Sequence, residues 1–316
     1  MNLQQLRYVS EVARRGLNVS EAAAALFTSQ PGVSKQIRQL EAELGVEVFV
    51  RHGKRLVAVT EPGRAILAIA ERMLNDLDNL TRVGEEFSNE SEGALSVATT
   101  HTQARYALPA VIRDFLERYP KVRLSLHQGN PRQVSEMVLN GEVDVAIATE
   151  LIPDAPELVT LPCQQWNRCI VAVPRHPVLK ESPLTLEAIA RYPLITYDDA
   201  FTGRSKVNKA FLGRGLKPNV VLTALDSDVI KTYVGMDLGI GILARMAYDP
   251  REDRKLGMVD ASHLFESSTT RIGLRRNAYL RGYVYAFIEL VAPHLTRPMV
   301  DAALTGSSAA QDDYEL

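Results

Sequence analysis

Residues 20–45 constrain this chain more than any other stretch. A run of small residues, Glu21-Ala22-Ala23-Ala24-Ala25-Leu26, leads directly into Phe27-Thr28 and then Ser29-Gln30-Pro31. Ser20 is placed to cap a first short helix and Ser29 a second, in which Pro31 falls in the first turn, where its missing N–H is harmless. In the second helix Val33, Ile37, Leu40 and Leu44 recur at helical spacing and are expected to face a core. Ser34, Lys35 and Arg38 lie on the opposite face, with Gln30 at the N-terminal tip, and Gly45 ends the helix. A short helix whose alanines admit close packing, a tight turn, and a longer helix with an apolar back and a basic front together spell a helix-turn-helix.

The flanks extend this reading. Asn2 and Gln5 form a capping-box pair that opens a helix to about Arg15, with Leu3, Leu6, Val9 and Ala13 on one face, and Gly16-Leu17-Asn18 breaks it. Residues 46–50 and 56–59 are β-rich and are joined by Arg51-His52-Gly53-Lys54-Arg55, a hairpin with a basic tip. Eight Lys and Arg stand against five Glu in residues 1–60, a net of +3 on a chain whose total is −2, so the remainder carries −5. A basic first segment on an acidic body suits a DNA-reading module joined to a domain with another task. Thr60 then caps a long helix in which Ile66, Ala70, Met73, Leu77, Leu80 and Phe87 follow 4-3-4-3 spacing, with Gly84 in one slot. That stripe predicts association with a second helix, and so a chain that is at least dimeric.

Residues 88–93 are a polar linker. From Ala94 the pattern becomes strands alternating with helices. Strands are expected at 95–98, 122–126, 143–148, 170–173, 194–196, 220–223, 240–243 and 271–274, and helices at 108–118, 133–139, 206–212, 228–234 and 283–291. Such alternation predicts mainly parallel sheets, here about two hundred residues forming two α/β lobes with a cleft between them. The expected division is therefore 1–60 for the winged helix-turn-helix, 61–92 for the linker helix and hinge, 93–305 for the two-lobed domain, and 306–316 for a fraying polar tail. Hydrophobic residues make up 46% and charged residues 23%, the balance of a globular protein. No apolar run reaches the roughly 20 residues of a membrane helix, and no secretory signal opens the chain, so a cytoplasmic location without membrane contact is expected. Cys163 and Cys169 lack Cys-x-x-Cys spacing and nearby histidine pairs, and read as buried, reduced packing residues. No Gly-x-Ser-x-Gly elbow, P-loop or metal triad is present, and Gly239-Ile240-Gly241 is too short for a dinucleotide fingerprint. No catalytic residue, cofactor or metal is expected, and the chain does not read as an enzyme.

The pattern Ala22, Leu26, Ser29-Gln30-Pro31, Ser34, Ile37, Leu40-Glu41, Leu44-Gly45, Phe49, Arg51, Thr60 and Gly63 resembles the DNA-binding domain of LysR-type regulators. The resemblance extends over nearly the whole chain. In the second half, residues 98–109 (Ala-Thr-Thr-His-Thr-Gln-Ala-Arg-Tyr-Ala-Leu-Pro), Leu161-Pro162-Cys163 with Trp166-Asn167-Arg168, Phe201-Thr202-Gly203-Arg204-Ser205, and residues 228–234 are similar to the CysB-like branch. The resemblance implies a winged helix-turn-helix, a linker helix, and two Rossmann-like lobes of the periplasmic-binding-protein kind. It also implies a transcriptional regulator of sulfur metabolism genes, in cysteine biosynthesis and sulfate assimilation, that senses sulfate or an acetylserine. A regulator of alkanesulfonate or sulfate-ester use is the alternative within the branch. Taken alone, the α/β half could serve as an anion-binding receptor. The implied partners are double-stranded promoter DNA, a small anionic or acetylserine-type effector, further copies of the chain in a dimer or tetramer, and RNA polymerase.

Within that frame Gln30, Ser34, Lys35 and Arg38 are the candidates for groove contact, and Arg51, Lys54 and Arg55 on the wing for phosphate or minor groove. Thr100, Thr102 and Gln103 follow a strand and precede a helix, where hydroxyls and an amide meet free N–H groups at a positive helix end, an arrangement that binds anions. Thr202 and Ser227 precede two further helices and offer similar ends. Trp166 can add an indole N–H or an apolar wall. The resemblance places Thr149 on the rim, at a strand end of the kind where ligands bind in α/β lobes. His101 reads as a structural or rim residue, and Arg105 as either a ligand clamp or a lobe–lobe salt bridge. Asp198 and Asp199 depart from the uncharged residues expected of the branch. Facing the cleft they would repel bare sulfate and favour a ligand with an amino group; pointing to solvent they would not.

Overall fold

The N-terminal capping box forms as the sequence requires. Asn2 Oδ1 accepts from the Gln5 N–H and Gln5 Oε1 from the Asn2 N–H, both at 2.9 Å, opening α1 (Leu3–Arg14). The structure, a computed structural model, describes residues 1–53, 55–88, 92–149, 155–198 and 204–306, without the side chains of 85–88. Lys54, Asp199, Thr202, the tail beyond Gly306 and the Phe87 side chain therefore lie outside the described residues. The chain divides into two compact units, Met1–Glu85 and Glu86–Leu316.

In the first unit α2 (Val19–Ala25) is capped by Asn18, not by Ser20. Asn18 Oδ1 accepts from the N–H groups of Ser20 and Glu21, so the residue read as a helix breaker is also the next helix's cap. Helix α3 (Gln30–Leu44) is capped by Ser29 Oγ, which accepts from Gly32 N–H, and it ends at Gly45 in the left-handed region. Val33, Ile37 and Leu40 are buried with Leu6, Val9 and Val12 of α1 and Ala22 and Ala23 of α2. Leu44, on the same stripe, is 39% exposed because the core stops one turn short of the helix end. Strands β1 (Phe49–His52) and β2 (Arg55–Val59) pair antiparallel from Phe49↔Val59 to His52↔Arg55 and form the wing.

Thr60 anchors the start of α4 (Glu61–Ser88) by donating to the Glu47 carbonyl at 2.6 Å while accepting from Gly63 N–H at 2.9 Å. Helix and wing approach so closely that a Cβ on Gly63 would lie 2.1 Å from the Val48 carbonyl oxygen. The apolar stripe of α4 splits in two. Leu67 and Ala70 are buried in the first unit's core, with Ile66 and Leu74 packed against it, whereas Met73 is 40% and Leu80 69% exposed.

The second unit runs β3 (Gly93–Thr99), α5 (Leu108–Arg118), β4 (Val122–Gln128), α6 (Pro131–Leu139), β5 (Val145–Ala148), β6 (Leu158–Trp166), β7 (Arg168–Ala172), α7 (Leu186–Ile189), β8 (Leu194–Tyr197), α8 (Arg204–Leu212), β9 (Val220–Ala224), α9 (Ser227–Gly235), β10 (Ile240–Ala244), β11 (Gly257–Asp260), β12 (Ser268–Arg275), α10 (Gly282–Val291) and α11 (Arg297–Thr305). The described strands form two five-stranded sheets, ordered β4-β3-β5-β12-β6 and β11-β7-β10-β8-β9. Both are mixed, which corrects the expectation of mainly parallel pairing: β12 runs antiparallel to β5 and β6, and β7 to β10 and β11. The mixing follows from the path of the chain, which leaves the first lobe at β6 and re-enters it at β12. Each lobe buries its own apolar core, around Leu95, Phe115, Ile147 and Phe287 in one and Ile170, Ile189, Phe211 and Ile242 in the other.

Candidate functional site

The front of α3 presents Gln30, Lys35 and Arg38 exposed and Ser34 half-buried, with Gln30 Nε2 donating to Ser34 Oγ at 3.3 Å. Arg55 is exposed at the wing. Among the described residues Lys35, Arg38 and Arg55 make no ion pair, so their charge is available to a polyanion. Arg51 has a different task. Its guanidinium grips the carboxylate of Glu41, with Nη1 donating to Oε1 at 3.3 Å and Nη2 to Oε2. Glu41 is 7% exposed and also accepts from the N–H groups of Val48 and Phe49. A buried carboxylate needs a cation and donors, and Arg51 is that cation. It belongs to the joint between α3 and the wing.

In the second unit, the cleft between the lobes holds a cavity of about 30 Å³ lined by Thr100, His101, Thr102, Gln103, Thr149, Trp166, Tyr197, Leu225 and Ala244. It brings together five of the candidate effector residues, Thr100, Thr102, Gln103, Thr149 and Trp166, with His101 beside them. Thr100 follows β3 directly, and its carbonyl accepts from Ala104 N–H at 3.0 Å. The helix thus begins at His101 and continues into α5 through a π-turn, Gln103–Ala107, in which Leu108 N–H reaches back to the Gln103 carbonyl. First-turn N–H groups lack intrahelical acceptors, so the cavity floor is a positive helix end. Gln103 is 2% exposed and donates from Nε2 to Thr270 Oγ1 at 2.9 Å, which fixes its amide. Trp166 Nε1 donates to Thr149 Oγ1 at 3.3 Å, so the indole orients a threonine hydroxyl.

Ser227 is fully buried and is not the cap of α9. Asp226 is, with Oδ1 accepting from Val229 N–H at 2.8 Å, so that helix end already has a carboxylate cap. Ser227 Oγ instead joins the lobes, lying 2.5 Å from Tyr197 Oη and 3.5 Å from Thr102 Oγ1. Tyr197 was not among the expected residues, yet it stands at the end of β8, the position that drew attention to Thr149. Burial raises its phenol, which stays a neutral donor.

Beside the cavity the lobes are tied by charge. Asp228 of α9 accepts from Tyr106 Oη at 2.6 Å and pairs with Arg105 Nε at 3.0 Å, so Arg105 forms a lobe–lobe salt bridge. Lys231 lies 3.4 Å from Asp228 and 3.1 Å from Asp253. Burial would raise the Asp228 carboxyl, but Tyr106, Lys231 and Arg105 outweigh it and hold the group below its usual range. His101 Nε2 is 3.7 Å from the same carboxylate, which makes it the element shared by cavity and tie. His101, Asp226 and Asp228 are close enough to share a cation, but the Asp228 oxygens and Asp226 Oδ1 already have the partners named.

The chain crosses between lobes at Trp166-Asn167-Arg168 and again before β12. Arg168, 3% exposed, joins the two crossings: Nη1 donates to the Glu266 carbonyl at 2.8 Å and Nη2 to Ser268 Oγ at 2.9 Å, with the guanidinium 5.0 Å from the centre of the Trp166 ring. Asp198 is half-buried, and its N–H donates to the Ala224 carbonyl.

Two family models match the chain: "Bacterial regulatory helix-turn-helix protein, lysR family" over residues 3–64 and "LysR substrate binding domain" over residues 88–296. The chain is 54% identical to the HTH-type transcriptional regulator CysB of Burkholderia cenocepacia over 316 residues, the whole of both. It is also 54% identical to the regulator SsuR of that organism over 304 residues, 96% of this chain and 99% of the other. Identity to the HTH-type transcriptional regulator cbl of Escherichia coli is 47% over the full length of both. Among solved structures, the cofactor-binding domain of the Cbl transcriptional regulator aligns with a TM-score of 0.67 and 44% identity, covering 69% of this chain and 96% of that one. Full-length CbnR complexed with its target DNA aligns at a TM-score of 0.54 and 22% identity, over 92% of this chain and 99% of that one, a likeness of fold.

Proposed function

The chain belongs to the lysR family of bacterial regulatory helix-turn-helix proteins, and from that premise we propose that it regulates transcription of sulfur metabolism genes in response to a small sulfur-linked oxyanion. Sulfate is the simplest candidate. The observation that carries this reading is the cavity at the lobe boundary, where Thr100, Thr102, Thr149 and Tyr197 present hydroxyls around a helix N-terminus. Neutral donors and a helix end suit a fully ionised anion, because they stabilise charge without a proton to exchange. The cavity is small, so of the candidate effectors a compact group asks least movement of the lobes. An acetylserine would need the lobes to part further, and an adenosine phosphosulfate more still. Thr202 belongs to the proposed effector set as a hydroxyl residue that the sequence places before a helix, and Ser227 acts in the set through Tyr197 and Thr102.

In the same reading Gln30, Ser34, Lys35, Arg38, Arg51, Lys54 and Arg55 contact promoter DNA, and the exposed half of the α4 stripe, Met73 and Leu80, pairs with a second copy. RNA polymerase is the further partner and the cytoplasm the location; among the described residues no helix is long and apolar enough to cross a membrane. Identity to CysB and to SsuR is equal at 54%, and both regulons expected from the sequence, cysteine biosynthesis with sulfate assimilation and sulfonate or sulfate-ester use, stay within the proposal. Thermal shift of the full chain with sulfate, acetylserines, adenosine phosphosulfate and alkanesulfonates, followed by calorimetry, tests the proposal. Sulfate is expected to stabilise the chain, and Thr102→Val to lower its affinity roughly tenfold, the loss of one hydrogen bond to a charged group. Equal affinity in the variant would remove Thr102 from the site, and silence across all ligands would sink the assignment.

A further inference from the structure

Of the described groups lining the cavity only His101 and Tyr197 can change charge, and burial keeps Tyr197 neutral. The hydroxyls, the Gln103 amide and the helix end exchange no proton. Any titrating positive charge that the lining offers an anion therefore comes from His101. Its side chain is 32% exposed, which leaves the ring in exchange with solvent. Among the described residues neither ring nitrogen forms a hydrogen bond to the protein. Nδ1 is buried without a partner, and Nε2 stands 3.7 Å from Asp228 Oδ2, beyond hydrogen-bond range. The fold leaves the imidazole's polar atoms unused, on the wall of the proposed effector site.

The surrounding charge decides what that ring can do. At the start of α9, Asp226 and Asp228 each bring a carboxylate oxygen within 4.8 Å of a ring nitrogen. Arg105 and Lys231 balance Asp228, and Asp253 in turn pairs with Lys231. Tyr106, which donates to Asp228, is kept neutral by burial. Arg245, beside the cavity residue Ala244, is exposed and donates to the Tyr248 carbonyl. Three carboxylates against the two paired cations leave the His101 side of the cavity negative by one. A doubly charged anion entering there gains from an added positive charge, and protonation of the imidazole supplies it.

We propose that His101 is the proton-linked residue of the effector site: it takes up a proton when a doubly charged oxyanion binds, so that the sensor reads anion and acidity together. The inference rests on the reading of the cavity as an oxyanion site. Histidine is the side chain whose ordinary range lies between pH 5 and 8. An anion beside it favours the imidazolium, and by reciprocity acid tightens the anion. An acetylserine, with at most one net negative charge, asks for less compensation and is expected to show a weaker pH dependence.

Calorimetry of the full-length chain with sulfate counts the protons taken up, when it is run at pH 7 and fixed ionic strength in buffers of different ionisation enthalpy. Uptake on the order of half a proton is expected, with affinity about three- to tenfold weaker at pH 8 than at pH 6. Sulfate itself stays doubly charged across that range. His101→Gln is expected to bind sulfate at the weaker affinity at both pH values and without uptake. His101→Lys, whose cation does not titrate there, is expected to bind at the tighter affinity, again without uptake. Thermal melting of each variant shows that it is folded. The chain has six histidines, so uptake that survives in His101→Gln belongs to another of them and overturns the proposal. A wild-type binding heat that is the same in every buffer also overturns it, a result that needs no variant to fold. Absence of sulfate binding at any pH from 6 to 8 would instead overturn the oxyanion reading, and this proposal with it.

Discussion

At the scale of single residues the structure separates side chains that hold the fold from those free to act. Arg51 and Arg55 sit on the same basic hairpin, yet one is spent on buried Glu41 and the other is exposed. The difference is invisible in the sequence, because Glu41 lies ten residues away on another element. Cys163 and Cys169 show the opposite case, where residue type alone was enough. Both are buried and free, and burial pushes each thiol up to about 12. Thiolate is the reactive form. Neither cysteine is therefore expected to react with iodoacetamide at pH 8 in the native chain, while both should alkylate fully in denaturant; mass spectrometry of the two samples checks this.

At the scale of elements the wing and α4 are locked by Gly63 and Thr60. Gly63→Ala is expected to destabilise the first unit by about 1–3 kcal/mol, since the new methyl would meet the Val48 backbone, which has no rotamer to yield. Denaturant unfolding of the full chain should show an early transition that is absent in wild type. On α3 the expectation concerns charge: Lys35→Gln with Arg38→Gln should weaken promoter binding and flatten its salt slope by about two, one for each lost phosphate contact. The helices and wing of this unit were legible because their signals are local, in caps, a basic turn and apolar spacing. Strand β6 was missed for a physical reason. Pro162 interrupts its run and argues against a central strand, but β6 is the edge of its sheet, where a missing N–H is tolerated. Strand β11 is short and lies at the edge of the other sheet. The cavity's threonines could be named from strand-to-helix junctions, whereas Tyr106–Asp228 and Thr102–Ser227 join residues more than a hundred positions apart and leave no periodic trace.

At the scale of the whole second unit, what matters is how firmly the two lobes are held. Asp228 is the hub of the tie, and its carboxyl lies below the ordinary value of 3.8. A depressed acid contributes stability above its unfolded pKa and loses it as pH falls through the folded one. Asp228→Asn is accordingly expected to lower the melting temperature at pH 7, with the gap to wild type closing below about pH 4. A gap that persists undiminished in acid would mean that Asp228 acts by shape and not by charge. The hinge carries a separate consequence. The chain's one tryptophan is Trp166, whose indole N–H reaches the cavity threonine Thr149 while its ring faces the Arg168 cation that joins the two crossings. The protein is thus born with a single indole at the point where ligand occupancy and lobe movement meet. Excited beyond the tyrosine absorption band, its emission is an unlabelled optical signal in which any change on adding a ligand belongs to one ring and no other.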